Sequence, residues 1–244
     1  MSSSYSSTST MIKAATPWRD SGGPVRPIRV SGRLPPAGSG YWAGVGERLR
    51  FDGWILGLGT ASGTRVVVGH WPRSPFGPVS DVMVQRPDGH RVLLAPSAEL
   101  AEFVGATYTF DEVALVPVTV HRADDGWTVD AGPLALRVRT GRRPLLGRLL
   151  HAVPARLART PAWVGLLDLP ARLSTGLRTT GSAGNGRTEW YGVQDLHLLD
   201  SVDATWDGAQ LGELIPVQPP VTFGFGSVPP RPSVVRVTTT VQLP

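Results

Sequence analysis

Two stretches of the sequence combine acidic, imidazole and aromatic side chains at spacings that suit acid–base chemistry. In the first, residues 69–84, His70 shares strand parity with the valines of its own run, and Asp81 shares parity with the apolar residues around it. Burial on an apolar wall raises the pKa of a carboxyl group, and a nearby imidazole completes a pair that exchanges protons near neutral pH. We therefore expect Asp81 and His70 to point inward as a catalytic pair. The alternative is that both residues are structural: Asp81 accepts hydrogen bonds from loop amides, and His70 is a core histidine whose ring nitrogens are hydrogen-bonded.

The second stretch is the predicted strand that follows Arg187. Period-two alternation places five of its side chains on one face: Glu189, Tyr191, Val193, Asp195 and His197. Inside a ligand-binding barrel, this stripe supplies an acid, a base and an orienting phenol as secondary catalytic groups. The same alternation is also typical of an antiparallel strand at the surface, whose polar side chains face solvent. Both interpretations, the pocket wall and the solvent face, stay open.

Aromatic and arginine side chains in and near these stretches are candidates for contacting a substrate. We expect Trp71, Phe76 and Trp190 to shape the pocket, with Arg73 and Arg137 completing the substrate-binding set. No metal site is expected, because the five histidines are widely spread and no HExxH motif is present. No cofactor is expected either, because the glycines of residues 57–63 precede a β-branched run instead of the helix that a dinucleotide loop opens.

The basic composition is unusual in kind and in placement. The 244 residues hold no cysteine and a single lysine, Lys13, beside 23 arginines. Disulfides, thiolate nucleophiles and cysteine-ligated zinc are therefore excluded. Residues 131–187 carry ten basic groups and one acidic group, which suits binding of phosphates, anionic lipids or an acidic substrate, or else forms a solvated face paired with acidic neighbours. No nucleic-acid partner is expected, because zinc-finger spacing and an RNP-like strand are both missing.

The elements that must position these groups are mainly strands. The 29 glycines and 23 prolines disfavour long helices, and eleven short β-branched or aromatic runs alternate with turn signals between residues 49 and 243. We expect an antiparallel closed β-barrel, or a two-sheet sandwich. Ser97 predicts the N-cap of a short helix that ends near Gly105, and a broken helical insertion is expected at about residues 144–174.

Residues 1–24 are expected to form a disordered tail and residues 25–244 a single domain. The first ten residues lack the apolar core of a signal peptide, and no later apolar run reaches the roughly 18 residues of a membrane span. We therefore expect a cytoplasmic protein without a transmembrane segment. A homodimer is compatible with the sequence.

One short segment resembles a known family. Residues 74–82, with the sequence SPFGPVSDV, resemble the Ser-Pro-x-Gly-Pro-x-x-Glu segment of acetoacetate decarboxylase-like proteins. The spacing of a later acidic, Trp-containing strand, residues 200–208, followed by residues 211–217, is also similar to that family. The resemblance implies a cone-like antiparallel β-barrel around a central pocket, with Asp81 at the family's acidic position. It does not extend to the family's decarboxylating lysine, because residues 14–244 contain no lysine.

These observations lead to two functional hypotheses from different classes. The first is a cofactor-free pocket enzyme, a cyclase, isomerase or dehydratase, that acts on an apolar, carbonyl-bearing metabolite such as a polyketide-like intermediate. In it, Asp81 is the general acid or base and His70 its partner. The second is a non-catalytic carrier or sensor for an apolar or anionic lipid-like ligand, with the arginines from Arg137 to Arg187 holding the acidic group.

Overall fold

The structure is a computed structural model and describes residues 11–14, 47–154, 180–182, 186–224 and 228–244. The strands in these ranges are β1 (Met11–Ala14), β2 (Arg48–Thr60), β3 (Arg65–Arg73), β4 (Val79–Gln85), β5 (Arg91–Ala95), β6 (Glu112–Leu115), β7 (Val118–Arg122), β8 (Gly126–Ala131), β9 (Leu134–Thr140), β10 (Thr180–Ser182), β11 (Thr188–Trp206), β12 (Ala209–Gln210), β13 (Leu214–Ile215) and β14 (Ser233–Gln242). The helices are α1 (Ala98–Thr107) and α2 (Leu145–Ala152).

The strands form one continuous sheet. Its order is β1, β6, β5, β4, β3, β2, β14, β11, β9, β8 and β7, with β10 and β12 paired to β11 and β13 paired to β2. The sheet is strongly curled into a half-barrel, so the predicted mainly-β class is confirmed and the predicted closed barrel is wrong. The expectation of a wholly antiparallel sheet is also wrong. Because α1 carries the chain back across the sheet, β6 runs parallel to β5, and it also runs parallel to β1.

β11 links the two halves of the curled sheet. Its first part pairs with β14 and its second part pairs with β9. The register shifts between Val193 and Asp195 and again between Leu199 and Ser201. Irregularities of this kind bend and twist a strand. A run that looks like two strands in the sequence is therefore one bent strand of 19 residues.

The core has two parts, one on each face of the strands β2 to β5. The first core lies between this sheet and α1 and includes Phe51, Val67, Met83, Leu100 and Phe103. The second core lies between the same strands and the curled-over strands β8 and β9; it includes Leu56, Leu58, Val66, Val68, Val82, Val84, Val129, Leu134 and Leu136. Because both faces are buried, apolar residues run almost continuously along β3 and β4 instead of alternating with polar ones.

The predicted short helix is confirmed as α1. Ser97 is its N-cap, and the Ser97 hydroxyl accepts a hydrogen bond of 3.3 Å from the amide of Leu100. The helix ends at Thr107 rather than near Gly105, which brings Tyr108 over the sheet. α2 is the first part of the predicted helical insertion, whose residues 155–174 lie outside the described residues. No helix in the described ranges is long and apolar enough to cross a membrane.

Three other predicted elements differ from the structure or fall outside it. The predicted strand at residues 112–122, one of the eleven runs, is two strands, β6 and β7. A further one of the runs predicts a strand at residues 221–225, but residues 221–224 belong to no strand. Residues 11–14 of the predicted tail form β1, and the rest of residues 1–24 lies outside the described part of the chain.

Candidate active site

A pocket of about 50 Å³ lies in the first core, between α1 and the inner face of the strands β2, β3, β4, β11 and β14. This volume accommodates a few water molecules or a small part of a ligand. Apolar and aromatic side chains form most of its wall, among them Phe51, Trp71 and Phe103. The polar groups on the wall are Asp81, Thr107, Tyr108, Glu189, Tyr191 and Thr239.

Asp81 reaches the pocket from β4 and is only 4% exposed. The indole Nε1–H of Trp71 donates a hydrogen bond of 3.2 Å to Asp81 Oδ1. Burial raises the pKa of Asp81 from 3.8 to about 7, and the Trp71 hydrogen bond opposes this shift only in part. Asp81 therefore exchanges a proton near neutral pH.

Gly69 provides the space for this contact. Its cross-strand partner on β4 is Asp81. A Cβ atom at position 69 would lie 2.6 Å from Asp81 Oδ1 and 2.6 Å from Trp71 Nε1, closer than real Cβ contacts allow. A glycine on β3 is therefore required for the carboxyl and the indole to meet.

Glu189 reaches the pocket from β11 and is 1% exposed. The hydroxyl of Tyr108 donates to its two carboxyl oxygens at 2.9 and 3.0 Å, and the hydroxyl of Tyr191 donates to Oε2 at 3.0 Å. Burial raises the pKa of Glu189 to about 7, although the two phenols and the charge of Arg187 act in the opposite direction. The pocket thus has a second carboxyl group that titrates near neutral pH.

The two phenols and the carboxyl group form a triad with shared protons. The hydroxyl oxygens of Tyr108 and Tyr191 lie 2.8 Å apart, in addition to their contacts with Glu189. Two phenolic protons are shared among these four contacts when the carboxyl is ionised, and a third proton is present when it is neutral. The pKa of each phenol lies well above 10, first because of burial and then because of the Glu189 charge. The triad therefore holds its protons near neutral pH, and the carboxyl is the group that loses one first.

Arg187 lies behind the polar side of the pocket, and Thr239 lies on its wall. Arg187 Nη1 donates to the carbonyl of Phe103 at 2.8 Å and to the hydroxyl of Thr107 at 2.5 Å, which ties the start of β11 to the end of α1. Thr239 on β14 pairs with Tyr191 across the sheet, and its buried Oγ1 has no hydrogen-bond partner among the described residues. An unpaired buried hydroxyl on a pocket wall is available to a polar atom of a ligand.

His70 does not join this site. The antiparallel register pairs His70 with Ser80 and Gly69 with Asp81, and cross-strand partners share a face. His70 therefore points to the opposite face of β3, where its Nδ1 lies 2.9 Å from Ser80 Oγ and its ring stacks on Trp54. The pKa of His70 is lowered by burial and by the charge of Arg122. The expectation that Asp81 and His70 point into one site as a pair is wrong.

The predicted stripe on β11 is divided by the register shift after Val193. Glu189 and Tyr191 face the pocket, while Leu196 takes over the same core face after the shift. Asp195 and His197 are turned away from the pocket, so the expectation of one continuous stripe is wrong. Asp195 Oδ2 instead accepts from Arg143 Nη2 at 2.9 Å and lies 3.6 Å from His197 Nε2.

The predicted substrate-binding residues are also divided. Trp71 lines the pocket, and Phe76 packs against Phe103 with 5.3 Å between ring centroids, just behind the wall. Trp190 faces away from Glu189, with the guanidinium of Arg48 over its ring. The two arginines lie outside the pocket: Arg73 is paired with Asp52 at 2.7 Å, and Arg137 is exposed on β9.

Sequence reasoning did not identify Tyr108 or Thr239. Tyr108 directly follows α1, so its position depended on where that helix ends. Thr239 lies on β14, and whether its side chain faces the pocket depends on the register of β14 with β11 and β2. No local sequence pattern reveals that register. The described residues contain no group of three or more side chains that could hold a metal ion.

Comparisons with known proteins give two distant structural similarities. No family model and no curated protein matches the sequence. Acetoacetate decarboxylase from Legionella pneumophila subsp. pneumophila has 10% identity and a TM-score of 0.38, over 85% of this chain and 89% of that chain. A putative AttH from Nitrosomonas europaea has 10% identity and a TM-score of 0.27, over 77% of this chain and 38% of that chain.

Proposed function

We propose that the pocket is the active site of an acid–base enzyme, a cyclase, isomerase or dehydratase, that acts on a small, mostly apolar compound with a carbonyl group. The observation that carries the proposal is the pair of carboxyl groups, Asp81 and Glu189, that are buried on one pocket and have pKa values of about 7. A carboxyl group tuned to this range both removes and returns protons at physiological pH.

The contacts of the two carboxyl groups suggest different roles. Trp71 is the only hydrogen-bond partner of Asp81 among the described residues, which leaves Asp81 to act as the general base on a carbon next to the carbonyl. Glu189 is engaged with two phenols. The phenol of Tyr191 or Tyr108 donates a hydrogen bond to the carbonyl oxygen, where negative charge develops as the proton leaves. Asp81 then returns the proton to a different carbon in an isomerisation, or to a leaving hydroxyl in a dehydration.

Imine chemistry is not part of this proposal. The only lysine, Lys13, lies on β1 at the edge of the sheet, where its neighbour is β6. The strands that build the pocket are β2, β3, β4, β11 and β14. In the order of the sheet, β1 is therefore separated from these strands by β6 and β5.

The carrier for an anionic lipid-like ligand is less well supported. No arginine, lysine or histidine is among the described residues that line the pocket, whereas two carboxyl groups are. A bound anion would meet these carboxyl groups in a site of low polarity, where like charges repel strongly. Non-catalytic binding of an uncharged apolar ligand remains the competitor, and turnover distinguishes the two.

The proposal is tested by proton exchange on small enolisable ketones. Wild-type protein is incubated in D₂O with cyclopentanone or acetylacetone, and deuterium uptake next to the carbonyl is followed by NMR. We expect Asp81→Asn to slow the exchange by about 100-fold or more, the usual size of a general-base contribution. Glu189→Gln and Tyr191→Phe should slow it less.

His70→Gln is the matched control, because His70 lies one residue from Gly69 but faces away from the pocket. It should leave the exchange rate unchanged. Ketones that bind to the wild type without any exchange would favour the carrier, and an exchange that survives Asp81→Asn in the folded protein would remove Asp81 as the base.

A further inference from the structure

The exposed face of α2 is apolar. Leu145 is 72% exposed, Leu149 is 60% exposed and Leu146 is 38% exposed, and these are the exposed large hydrophobic residues of the described chain. On a helix, positions 145, 146 and 149 lie within one arc of the surface. Isolated exposed leucines need no explanation, but three on one short helix form a ridge. We call these three residues the leucine ridge.

The opposite face of α2 is fixed to β11. Gly147 is buried, and a Cβ atom there would lie 2.2 Å from the carbonyl oxygen of Leu196. Leu150 packs against the first core, and His151 Nδ1 lies 3.3 Å from Asp195 Oδ2. Because these contacts set the rotation of the helix, the leucine ridge must face outward.

The surroundings of the leucine ridge are basic. Residues 137–154 contain five arginines and no acidic residue, while β11 brings Asp195 to Arg143 and places Asp203 opposite Arg137. Arg148 on α2 and Arg142 shortly before it are exposed and do not belong to these two pairs. An apolar ridge bordered by cations is complementary to a surface with an apolar interior and anionic headgroups.

We propose that α2 docks this protein onto an anionic membrane surface, with the leucine ridge in the interfacial layer and the neighbouring arginines against the lipid headgroups. A second copy of the chain fits the ridge less well, because a symmetric contact would bring the arginines of both copies together. Three leucine side chains also provide far less than the roughly 800 Å² per partner that a stable protein interface buries.

The experiment uses the full chain and sedimentable vesicles. One set contains phosphatidylcholine with about 30% phosphatidylglycerol, and the other contains phosphatidylcholine alone. We expect binding to the anionic vesicles that falls as NaCl is raised from about 0.1 to 0.5 M, because salt screens the arginines. Leu145→Ser with Leu149→Ser should weaken the binding by about tenfold or more, and Arg148→Gln should weaken it by about fivefold.

Matched variants separate docking from changes in folding. Leu145→Met with Leu149→Met keeps the ridge apolar and should keep the binding. Arg50→Gln removes an exposed arginine on β2, away from α2, and should also keep it. Near-ultraviolet circular dichroism confirms that each variant is folded, which is expected because the altered side chains are exposed.

Three outcomes would overturn the proposal. The first is an absence of vesicle binding by the wild type. The second is equal binding to neutral and anionic vesicles, or binding that the serine double variant retains. The third comes from sedimentation velocity: a wild-type dimer that the serine variant converts to a monomer would show that a second copy covers the ridge.

Discussion

The pocket carboxyl groups and the arginine-paired carboxyl groups differ in what surrounds them. Asp81 and Glu189 are buried among aromatic and apolar side chains, and burial is the largest influence on each, so their pKa values rise to about 7. Asp111 is bound by Arg91 at 2.8 and 2.9 Å, and this hydrogen bonding lowers its pKa to about 2. Burial also opposes ionisation of Asp52, but the charges and hydrogen bonds of Arg236 and Arg73 outweigh it and lower the pKa.

The comparison shows that a directly bonded arginine decides whether a carboxyl group in this protein stays ionised at neutral pH. Asp52 and Asp111 are fixed negative charges that hold strands and loops together at physiological pH. Asp81 and Glu189 change charge in that range, which costs stability and provides reactivity. No arginine donates a hydrogen bond to Asp81 or Glu189 among the described residues, although the charge of Arg187 acts on Glu189 from a distance.

The largest expected effect is a loss of stability as the pH rises. The pKa values of Asp81 and Glu189 are about 7 in the folded protein and near their ordinary values of 3.8 and 4.5 in the unfolded chain. Between about pH 4.5 and 7 the folded state therefore holds more protons. The free energy of unfolding should fall by about 1.4 kcal/mol per pH unit for each group, then level off above pH 7.

Urea denaturation at a series of pH values measures this slope. Asp81→Asn and Glu189→Gln should each make the slope less negative by about 1.4 kcal/mol per pH unit, while the lowered pKa of His70 contributes in the opposite direction in all variants. Asp111→Asn is the control, because its folded pKa of about 2 places its contribution below about pH 4. A wild-type stability that rises from pH 5 to 7 would contradict the assignment of the two pocket carboxyl groups.

Asp52→Asn is expected to have the next largest effect. The carboxylate of Asp52 contacts Arg73 and Arg236, each at 2.7 Å, and accepts a bond of 3.1 Å from Thr238. Removing one partner of a buried ion pair leaves the other charge uncompensated, so we expect a loss of about 3 kcal/mol. The loss should be the same at pH 5 and at pH 8, because Asp52 is ionised at both.

Chemical denaturation at these two pH values checks the prediction. Asp111→Asn again provides the comparison, since its pair with Arg91 is partly exposed and should cost less than about 1 kcal/mol. An Asp52→Asn effect that changed strongly between pH 5 and 8 would show that Asp52 titrates in this range. It would contradict the distinction between the arginine-paired and the pocket carboxyl groups.

The residue types along the chain allowed local features of this molecule to be predicted better than the positions of residues relative to one another. Asp81 was identified because it shares strand parity with apolar neighbours, and Glu189 because period-two alternation places it on one face of its strand with Tyr191; both are local properties of a strand. His70 was misplaced because its side relative to Asp81 depends on the register of the β3–β4 hairpin. Asp195 and His197 were misplaced because the register shift in β11 reverses the alternation, and bulges leave no clear mark in the sequence.

The fold shows the same limit. Strand positions, the N-cap at Ser97 and the turn at Asp207 and Gly208 follow from local chemistry, and that turn has the positive φ angles that these residues tolerate. How far the sheet curls, and that it stays a half-barrel, does not follow from local chemistry. The curl depends on how β11 bends and on how β8 and β9 pack over the second core.

The smallest expected effect comes from two adjacent threonines on β14. Thr238 donates to Asp52 and accepts a bond of 2.7 Å from Gln194, so it belongs to the ion-paired region. Thr239 faces the pocket, and its buried hydroxyl has no partner among the described residues. Valine has nearly the same shape as threonine without the hydroxyl. Thr238→Val should cost about 1 to 2 kcal/mol, because it leaves polar partners unsatisfied.

Thr239→Val should instead leave the free energy of unfolding unchanged or raise it by up to about 1 kcal/mol, because it removes an unpaired buried hydroxyl. It should also weaken binding of the test ketones by about threefold to tenfold if that hydroxyl bonds a ligand atom. Thermal denaturation and ketone titrations of both variants measure the two effects. A large loss of stability in Thr239→Val would show that the hydroxyl has a structural role and is not available to a ligand.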